Sequence, residues 1–220
     1  MTAARSRPEY PGRLLREDAG LVLVWGASST MELLVVRHAQ STWNAQHRWA
    51  GQRDPGLSVH GRTEAAALAV RLAALRPPFA AAAASDLRRA RQTAGIVAQT
   101  LRLPLPAVVP GLRERRAGQW TGLTSQQIQA RFPGQLDRWR RGEVVNPPGS
   151  EPWNGFTDRV VVALGELAAG SLGARVVVVA HQGVLRALAH HFGRPPCPAA
   201  NHGGVWLHAP HGALGWLARW

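Results

Sequence analysis

Two histidines in this sequence stand directly behind short runs of strongly apolar residues. His38 follows Leu-Leu-Val-Val at residues 33–36, with Arg37 in between, and His181 follows Val-Val-Val-Val-Ala at residues 176–180. A side chain just past a buried strand is firmly held and faces the crevice at the end of a sheet. Neutral imidazole is a good nucleophile near pH 7, and guanidinium is a donor suited to phosphate oxygens. Each motif alone fits a packed structural histidine equally well.

Two further segments carry groups that suit the same chemistry. Ser-Asp-Leu-Arg-Arg-Ala at residues 85–90 leads from a predicted strand into a helix, so that one arginine can reach the crevice while the other faces solvent. Glu114 is followed by the glycine turns of Gly-Gln-Trp-Thr-Gly at residues 118–122. A carboxyl group that enters the crevice there could act as a general acid. His181 also opens a predicted helix, whose N-terminus attracts anions.

The order of predicted strands and helices indicates how these groups are positioned. Continuous apolar runs predict buried strands, and apolar residues three and four apart predict helices. Strands are predicted before Ser85 and at residues 33–36, 105–109, 176–179, 205–207 and 214–217. Helices are predicted at residues 58–75, 88–101, 156–172 and 183–191, and behind a capping box of Thr124 and Gln127. This alternation predicts the α/β class: a three-layer α/β/α fold with a mostly parallel central sheet and helices on both faces.

The 220 residues are enough for one α/β domain with a substantial core. Residues 1–30 are predicted to be an N-terminal extension, in which the apolar run at residues 21–25 is compatible with one added strand. Met31 stands directly before the strongest strand pattern. We therefore predict a single catalytic domain at residues 31–220, and translation could also start at Met31.

The net charge is +13, and arginine supplies all 26 basic residues. These arginines are scattered, without a basic tail or regular aromatic interleaving, which argues against nucleic-acid binding. Together with abundant Ala, Gly and Pro they indicate a bacterial protein from a GC-rich genome. Attraction of anionic substrates is the alternative explanation of the charge.

The remaining features of composition concern location and redox chemistry. No apolar stretch approaches the ~20 residues that cross a bilayer. The apolar run at residues 20–26 follows Glu17 and Asp18 rather than the basic region of a signal peptide. We therefore predict a cytoplasmic protein without a membrane partner. The single cysteine, Cys197, cannot form an internal disulfide and has no metal-ligand spacing around it.

In this order, the four segments resemble the histidine phosphatase superfamily, which includes the cofactor-dependent phosphoglycerate mutases. That family shows Arg-His-Gly, then Ser-x-Leu-x-Arg-Ala, then an acidic Leu-Arg-Glu element, and a late histidine behind a Val-rich strand. Agreement runs from about residue 33 to residue 207. It includes the Asp-x-x-Leu-Ser-x-x-Gly stretch at residues 54–61 and Pro-Gly-Ser-Glu at residues 148–151.

The resemblance implies a role for each matching residue. His38 would attack phosphorus and become phosphohistidine. Glu114 would protonate the leaving oxygen and then help to deprotonate the hydrolytic water. The groups that bind the transferred phosphoryl group would be Arg37, Asn44, Arg89 and His181. Arg89 is preferred to Arg88 because it precedes the alanine of the motif. The resemblance implies no metal ion and no cofactor.

The sequence departs from the family pattern at three positions near the two histidines. Ala39 and Gln182 replace glycines, and Gln40 replaces a frequent glutamate. These changes alter the predicted pocket without removing a reacting group. They therefore bear on the choice of substrate more than on activity.

The resemblance leaves a phosphatase and a mutase open, because both form phosphohistidine. The interval from Glu114 to His181 is 67 residues (181 − 114), short for the substrate-clamping insertion of a mutase, and Ala117 stands where mutases have a tyrosine. Ala50 favours the mutase, because phosphatases often carry glutamine there. We predict a histidine acid-type phosphatase for a small phosphorylated metabolite, with a phosphoglycerate mutase or a non-catalytic anion-binding module as alternatives. The sequence indicates neither a particular substrate nor an oligomeric state.

The other histidines and the tryptophans carry weaker signals. We predict structural roles for the seven remaining histidines, namely His47, His60, His190, His191, His202, His208 and His211. Trp120 and Trp153 are the tryptophans nearest to the predicted site along the chain.

Overall fold

The valine- and leucine-rich runs form the centre of a six-stranded sheet. The computed structural model describes residues 15–17, 20–22, 31–170, 173–195, 203–209 and 213–220. In chain order the strands are β1 (Leu15–Glu17), β2 (Gly20–Val22), β3 (Met31–Arg37), β4 (Ala81–Ala84), β5 (Ala107–Val108), β6 (Arg175–Ala180), β7 (Gly204–Ala209) and β8 (Gly215–Arg219). The order across the large sheet is β5-β4-β6-β3-β7-β8. The first four of these strands are parallel, and β7 and β8 pair antiparallel, so the mostly parallel sheet is confirmed.

Helices cover both faces of this sheet, as the sequence predicts. In chain order they are α1 (Thr42–Ala45), α2 (Val59–Ala73), α3 (Arg88–Leu101), α4 (Ser125–Arg131), α5 (Gln135–Arg140), α6 (Trp153–Ala169) and α7 (Gln182–His191). Alternate residues of β3 enter different cores. Leu33 and Val35 pack in a cluster with α6 and α7, whereas Leu34 and Val36 pack with α2 and α3. A strand buried on both faces has to be apolar throughout, which explains the unbroken runs.

Most predicted elements occur at their predicted places, and the exceptions have local causes. The strand predicted at residues 105–109 is reduced to Ala107–Val108. Proline cannot donate to a strand ladder, and prolines at 104, 106 and 110 surround these two residues. The helix predicted at residues 156–172 begins three residues earlier, behind Pro152, and ends at Ala169; residue 172 lies outside the described residues.

The predicted N-terminal extension contains a short hairpin in the structure. β1 and β2 pair antiparallel as a separate two-stranded sheet. Residues 21 and 22 of the predicted strand lie in β2, and residues 23–25 lie outside the described residues. The division into an extension and a catalytic domain stays a prediction. No helix in the described ranges is long and apolar enough to cross a bilayer.

An excursion of the chain between β5 and α6 builds one wall above the carboxyl ends of the strands. It contains α4, α5 and a small core of its own, with Trp120, Ile128 and Leu136 buried inside it. Trp49 and Trp139 pack on this core, and the rings of Trp49, Trp120 and Trp139 meet edge to face at centroid distances of 5.0, 5.8 and 6.5 Å. We call these three residues the tryptophan wall.

The first turn of α2 supports the loop behind His38. Ser58 caps the helix and accepts a hydrogen bond from the Gly61 N–H. A Cβ atom added at Gly61 would lie 2.0 Å from the Gln40 carbonyl oxygen, so the close approach of the helix to this loop depends on glycine.

We expect Gly61→Ala to lower the free energy of unfolding by about 1–3 kcal/mol, because the backbone has to shift to admit the methyl group. Gly95→Ala on α3 is the matched control, since no atom lies within 4 Å of its added Cβ. This control should raise the free energy of unfolding by about 0.5–1 kcal/mol, because alanine favours the helix. Urea denaturation measures the free energy of unfolding of both variants. Equal values for Gly61→Ala and the unmodified protein would contradict the close contact at Gly61.

Candidate active site

The parallel register of β3 and β6 brings the two predicted site histidines together. Arg37 pairs with Ala180, so both strands end at the same edge of the sheet. The His38 N–H donates to the Ala180 carbonyl at 3.0 Å. Although 143 residues separate the histidines in the sequence (181 − 38), their ring centroids are 5.2 Å apart. Both side chains are buried, at 4% and 0% exposure.

The backbone next to His38 fixes the tautomer of its ring. Nδ1 lies 2.7 Å from the Ala39 carbonyl oxygen. A carbonyl can only accept, so Nδ1 carries the proton and Nε2 has an available lone pair. That lone pair accepts a hydrogen bond from the Arg89 Nε–H at 3.1 Å. The nitrogen able to react therefore lies directly beside a guanidinium group.

The surroundings of His38 and His181 keep both rings neutral. Burial lowers the pKa of His38 well below its ordinary value of 6.5, and the positive charges of Arg89 and Arg37 lower it further, against the opposing bond to Ala39. Burial likewise lowers the pKa of His181, and the nearby positive charge of Arg89 lowers it further. A neutral imidazole is the form that can act as a nucleophile.

His181 precedes α7 as its N-cap residue, as the sequence predicts. Its Nε2 lies 2.8 Å from the hydroxyl of Ser85, which is fully buried at the end of β4. The Ser85 hydroxyl also accepts a bond from the Leu87 N–H at 3.3 Å. Within the described part of the chain, the buried Nδ1 of His181 has no hydrogen-bond partner.

Arg89 is the arginine of its segment that points into the protein. It is 2% exposed, whereas Arg88 is exposed to solvent, as predicted. Its Nη1 and Nη2 donate to the carbonyls of Arg53 and Gly51 at 2.8 and 2.9 Å. Thr93 connects this helix to the nucleophile loop, because its hydroxyl donates to the Arg89 carbonyl and accepts from the Ala39 N–H.

Glu114 is held against the start of α7. Its Oε1 accepts from the Arg115 N–H at 2.7 Å, and its Oε2 accepts from the Gly183 N–H at 3.1 Å. A Cβ at position 183 would lie 2.0 Å from Glu114 Oε1, so only glycine admits the carboxylate there. Arg159 fixes the preceding segment, because it forms a bidentate ion pair with Glu151 and donates to the Gly111 carbonyl.

A cavity of about 720 Å³ opens above these groups. Its volume is typical of sites for small molecules. Five of the six predicted site residues line it, namely Arg37, His38, Asn44, Arg89 and Glu114. His181 lies behind His38 and completes the cluster. The Asn44 side-chain oxygen accepts from both the N–H and the hydroxyl of Ser41, which orients the amide group.

Several residues of this site were not predicted from the sequence. Ser85 belongs to the Ser-x-Leu-x-Arg-Ala motif without an assigned role, and Thr93 lies in no motif, because the roles of both arise from contacts across elements. Arg186 also lines the cavity, as does His47, for which we predicted a structural role. Trp120 lines the cavity, whereas Trp153 packs beneath the guanidinium of Arg115. His202 and His211 lie outside the described residues.

No group of three or more His, Cys, Asp or Glu side chains within the described ranges is arranged to hold a metal ion. The charged groups that line the cavity are instead mainly guanidinium groups, which suit an anionic ligand.

Comparison with known families identifies the superfamily of this chain. The family model of the histidine phosphatase superfamily (branch 1) matches residues 33–205, so this chain belongs to that superfamily. The match begins inside β3 and ends inside β7, and it contains every predicted site residue. The predicted family and fold class are both confirmed.

The relatives include phosphatases and mutases. The metal-independent phosphoserine phosphatase of Arabidopsis thaliana is 36% identical over 163 residues, 73% of this chain and 68% of that protein. A 2,3-bisphosphoglycerate-dependent phosphoglycerate mutase of Methylobacterium sp. (strain 4-46) is 37% identical over 161 residues, 71% of this chain and 77% of that protein. The structure of a mycobacterial glucosyl-3-phosphoglycerate phosphatase in complex with VO3 has a TM-score of 0.70 and 32% identity, covering 80% of this chain and 90% of that chain. These relatives agree with the predicted phosphatase function on a small phosphorylated substrate and with its mutase alternative.

The lowered pKa values predict how the two histidines titrate. In the folded protein His38 and His181 should remain neutral as the pH falls through 6.5, the ordinary value of histidine. The unfolded chain takes up protons there and the folded one does not, so these two groups lower the stability of the folded state below that pH.

NMR titration of the imidazole C–H signals, assigned through His38→Ala and His181→Ala, measures this behaviour. We expect the midpoint of each ring below 6.5. A midpoint at or above this value for either ring would contradict the burial and charge argument.

Proposed function

We propose that this protein is a phosphomonoesterase that transfers the phosphoryl group of a small metabolite first to His38 and then to water. The observation that carries the proposal is the state of the His38 ring. Its Nδ1 proton is held by the Ala39 carbonyl, and its unprotonated Nε2 borders the cavity beside Arg89.

In the first step, Nε2 of His38 attacks phosphorus. A P–N bond forms while the P–O bond to the leaving group breaks, and the electron pair goes to the leaving oxygen. Glu114, entering the step in its protonated form, gives a proton to that oxygen. Its position in the cavity wall, with two backbone N–H groups orienting the carboxyl, supports this role.

In the second step, water attacks the phosphorus of phosphohistidine. The carboxylate of Glu114 accepts a proton from this water, and the P–N bond breaks with its electron pair returning to Nε2. Inorganic phosphate leaves, and both side chains regain their starting states. One carboxyl group thus serves as acid and then as base, as a two-step displacement requires.

Fixed positive charges and a neutral histidine stabilise the charge on the transferred phosphoryl group. Arg37 and Arg89 line the cavity around His38, and His181 offers its unpartnered Nδ1. A phosphoryl group in transfer carries dispersed negative charge, which pre-organised donors stabilise. In this proposal Asn44 adds a further donor, and no metal ion or cofactor takes part.

The finer assignments form part of the same proposal. We assign the protein to the histidine acid-type phosphatases, with residues 31–220 as its catalytic domain. Its sequence features favour a bacterial, cytoplasmic protein without nucleic-acid or membrane partners. The relatives' names make phosphoserine, glucosyl-3-phosphoglycerate and the phosphoglycerates the first substrates to test.

His38→Ala should abolish both phosphate release and the acid-labile phosphoenzyme, because no nucleophile remains. Glu114→Gln should lower turnover by about 10²–10⁴-fold, the usual contribution of a general acid. A panel of phosphomonoesters including p-nitrophenyl phosphate measures phosphate release, and radiolabelled substrate measures the phosphoenzyme. His191→Ala, at the exposed end of α7, is the control and should keep full activity. Full activity of His38→Ala would remove the proposed nucleophile.

A phosphoglycerate mutase is the second candidate, and Ala50 favours it. This small residue is almost fully buried at the cavity wall, where phosphatases often carry glutamine. A mutase has to protect phosphohistidine from water while it holds the acceptor. Ala117, also in the cavity wall, lacks the hydroxyl group that a tyrosine would supply there.

The acceptor of the phosphoryl group separates the two candidates. With 3-phosphoglycerate and catalytic 2,3-bisphosphoglycerate we expect little isomerisation. At least one phosphomonoester should instead release inorganic phosphate without added metal. Product analysis by NMR measures both reactions. Rapid interconversion of 2- and 3-phosphoglycerate with negligible free phosphate would establish the mutase instead.

A further inference from the structure

The cavity contains more positive charge than the transferred phosphoryl group requires. Glu114 is the one acidic side chain among the described residues that line it. Six arginines line the same cavity, namely Arg37, Arg48, Arg89, Arg115, Arg140 and Arg186. Arg37 and Arg89 lie with His38 at the strand ends, which leaves four arginines farther out.

Two of these four arginines already bind other groups of the protein through hydrogen bonds or an ion pair. Arg115 is buried and donates to the carbonyls of Glu151 and Val145 and to the side chain of Asn146. Arg140 lies 3.3 Å from the Asp137 carboxylate on the exposed side of α5. The donors of Arg115 and the charge of Arg140 are therefore already engaged within the protein.

Arg186 is half-buried on α7 and is placed differently. Its guanidinium carbon lies 3.8 Å from the ring centroid of Trp139, and its Nη2 donates to the Trp139 carbonyl at 2.6 Å. Stacking and one hydrogen bond fix the plane of the group, yet no carboxylate in the described ranges lies within salt-bridge distance. Burial lowers the pKa of Arg186 and the nearby Glu114 opposes this. A partly buried guanidinium group that no carboxylate contacts directly is suited to bind an anion.

Arg48 supplies a second cation on the same wall. Its Nη1 donates to the Gly122 carbonyl at 2.7 Å, and it too has no carboxylate partner among the described residues. It precedes Trp49, which meets Trp139 at a centroid distance of 5.8 Å. Arg186 thus stacks on one ring of the tryptophan wall, and Arg48 directly precedes the residue that supplies another; neither arginine has a carboxylate partner among the described residues.

We propose that Arg186, assisted by Arg48, binds a second anionic group of the substrate while the phosphoryl group is bound at His38. The preferred substrates are then phosphomonoesters that carry a further carboxylate or phosphate group. This inference rests on the proposed phosphatase function for the identity of the first group. Arg186 determines specificity and takes no part in the bond-breaking steps.

Matched ligand pairs test this second site by binding, without any need for turnover. 3-Phosphoglycerate and glycerol 3-phosphate differ by a carboxylate, and glucose 1,6-bisphosphate and glucose 6-phosphate differ by a phosphate. Calorimetric titration of the full chain should give a Kd about 10- to 100-fold lower for the more charged member of at least one pair, as charge-assisted hydrogen bonds allow. The pair that shows the preference tells whether the second group is a carboxylate or a phosphate.

Arg186→Gln should bring the ratio of the two Kd values to about one. Arg186→Met preserves the apolar contact with Trp139 without the charge, and it should give the same result if the glutamine variant does not fold. Arg71→Gln is the matched control, because Arg71 stacks on Trp220 outside the cavity at 4.3 Å, and it should leave the ratio unchanged.

Equal Kd values within both pairs for the unmodified protein, or a preference that survives in the Arg186 variants, would overturn the second site. Phosphate release is measured separately with p-nitrophenyl phosphate. A protein that binds the charged ligands selectively but releases no phosphate would refute the proposed function and retain the second site. A protein that hydrolyses p-nitrophenyl phosphate without selective binding would support the proposed function and refute the second site.

Discussion

The parallel pairing of β3 with β6 is the contact on which the rest of the site depends. Because Arg37 pairs with Ala180, the residue after each strand is a histidine, and the two rings meet at 5.2 Å. A shift of one residue would move every side chain of a strand to the opposite face of the sheet. The alternating apolar residues of β3 pack in two separate cores, so that burial on both faces prevents such a shift. The packing that stabilises the core therefore also fixes the geometry of the site.

The second feature of the site is positive charge held in place by neutral groups of the protein. Arg89 lies against His38, and burial together with this charge keeps the imidazole neutral. Neutral acceptors hold the arginine, since the carbonyls of Arg53 and Gly51 take two of its N–H groups. Carbonyl groups fix the guanidinium without cancelling its charge, as a carboxylate would. The same pattern recurs at Arg186, where a carbonyl and an aromatic ring fix the cation.

The excursion between β5 and α6 and the strand ends form different parts of the cavity. The strand ends hold the reacting groups, whereas α4, α5 and the tryptophan wall give the cavity its outer surface. The two parts are connected through Glu114, whose carboxylate accepts from the first turn of α7. In the proposed mechanism, acid catalysis and substrate selection therefore share one segment of chain, and changes in the excursion would alter the substrate while the strand ends remain the same.

Local patterns of the sequence were enough to predict the sheet, the helices around it and the residues proposed to form the site. Unbroken apolar runs and helical spacing are local patterns, and the carboxyl ends of parallel strands meet by topology, so His38 and His181 could be placed together from the sequence. The packing of the elements was needed to identify the atoms proposed to react and the groups that contact them. The tautomer of His38, the contact of Ser85 with His181 and the uncompensated charge of Arg186 depend on distances between segments far apart in the chain. No local pattern encodes such distances, because they result from how complete elements pack against one another.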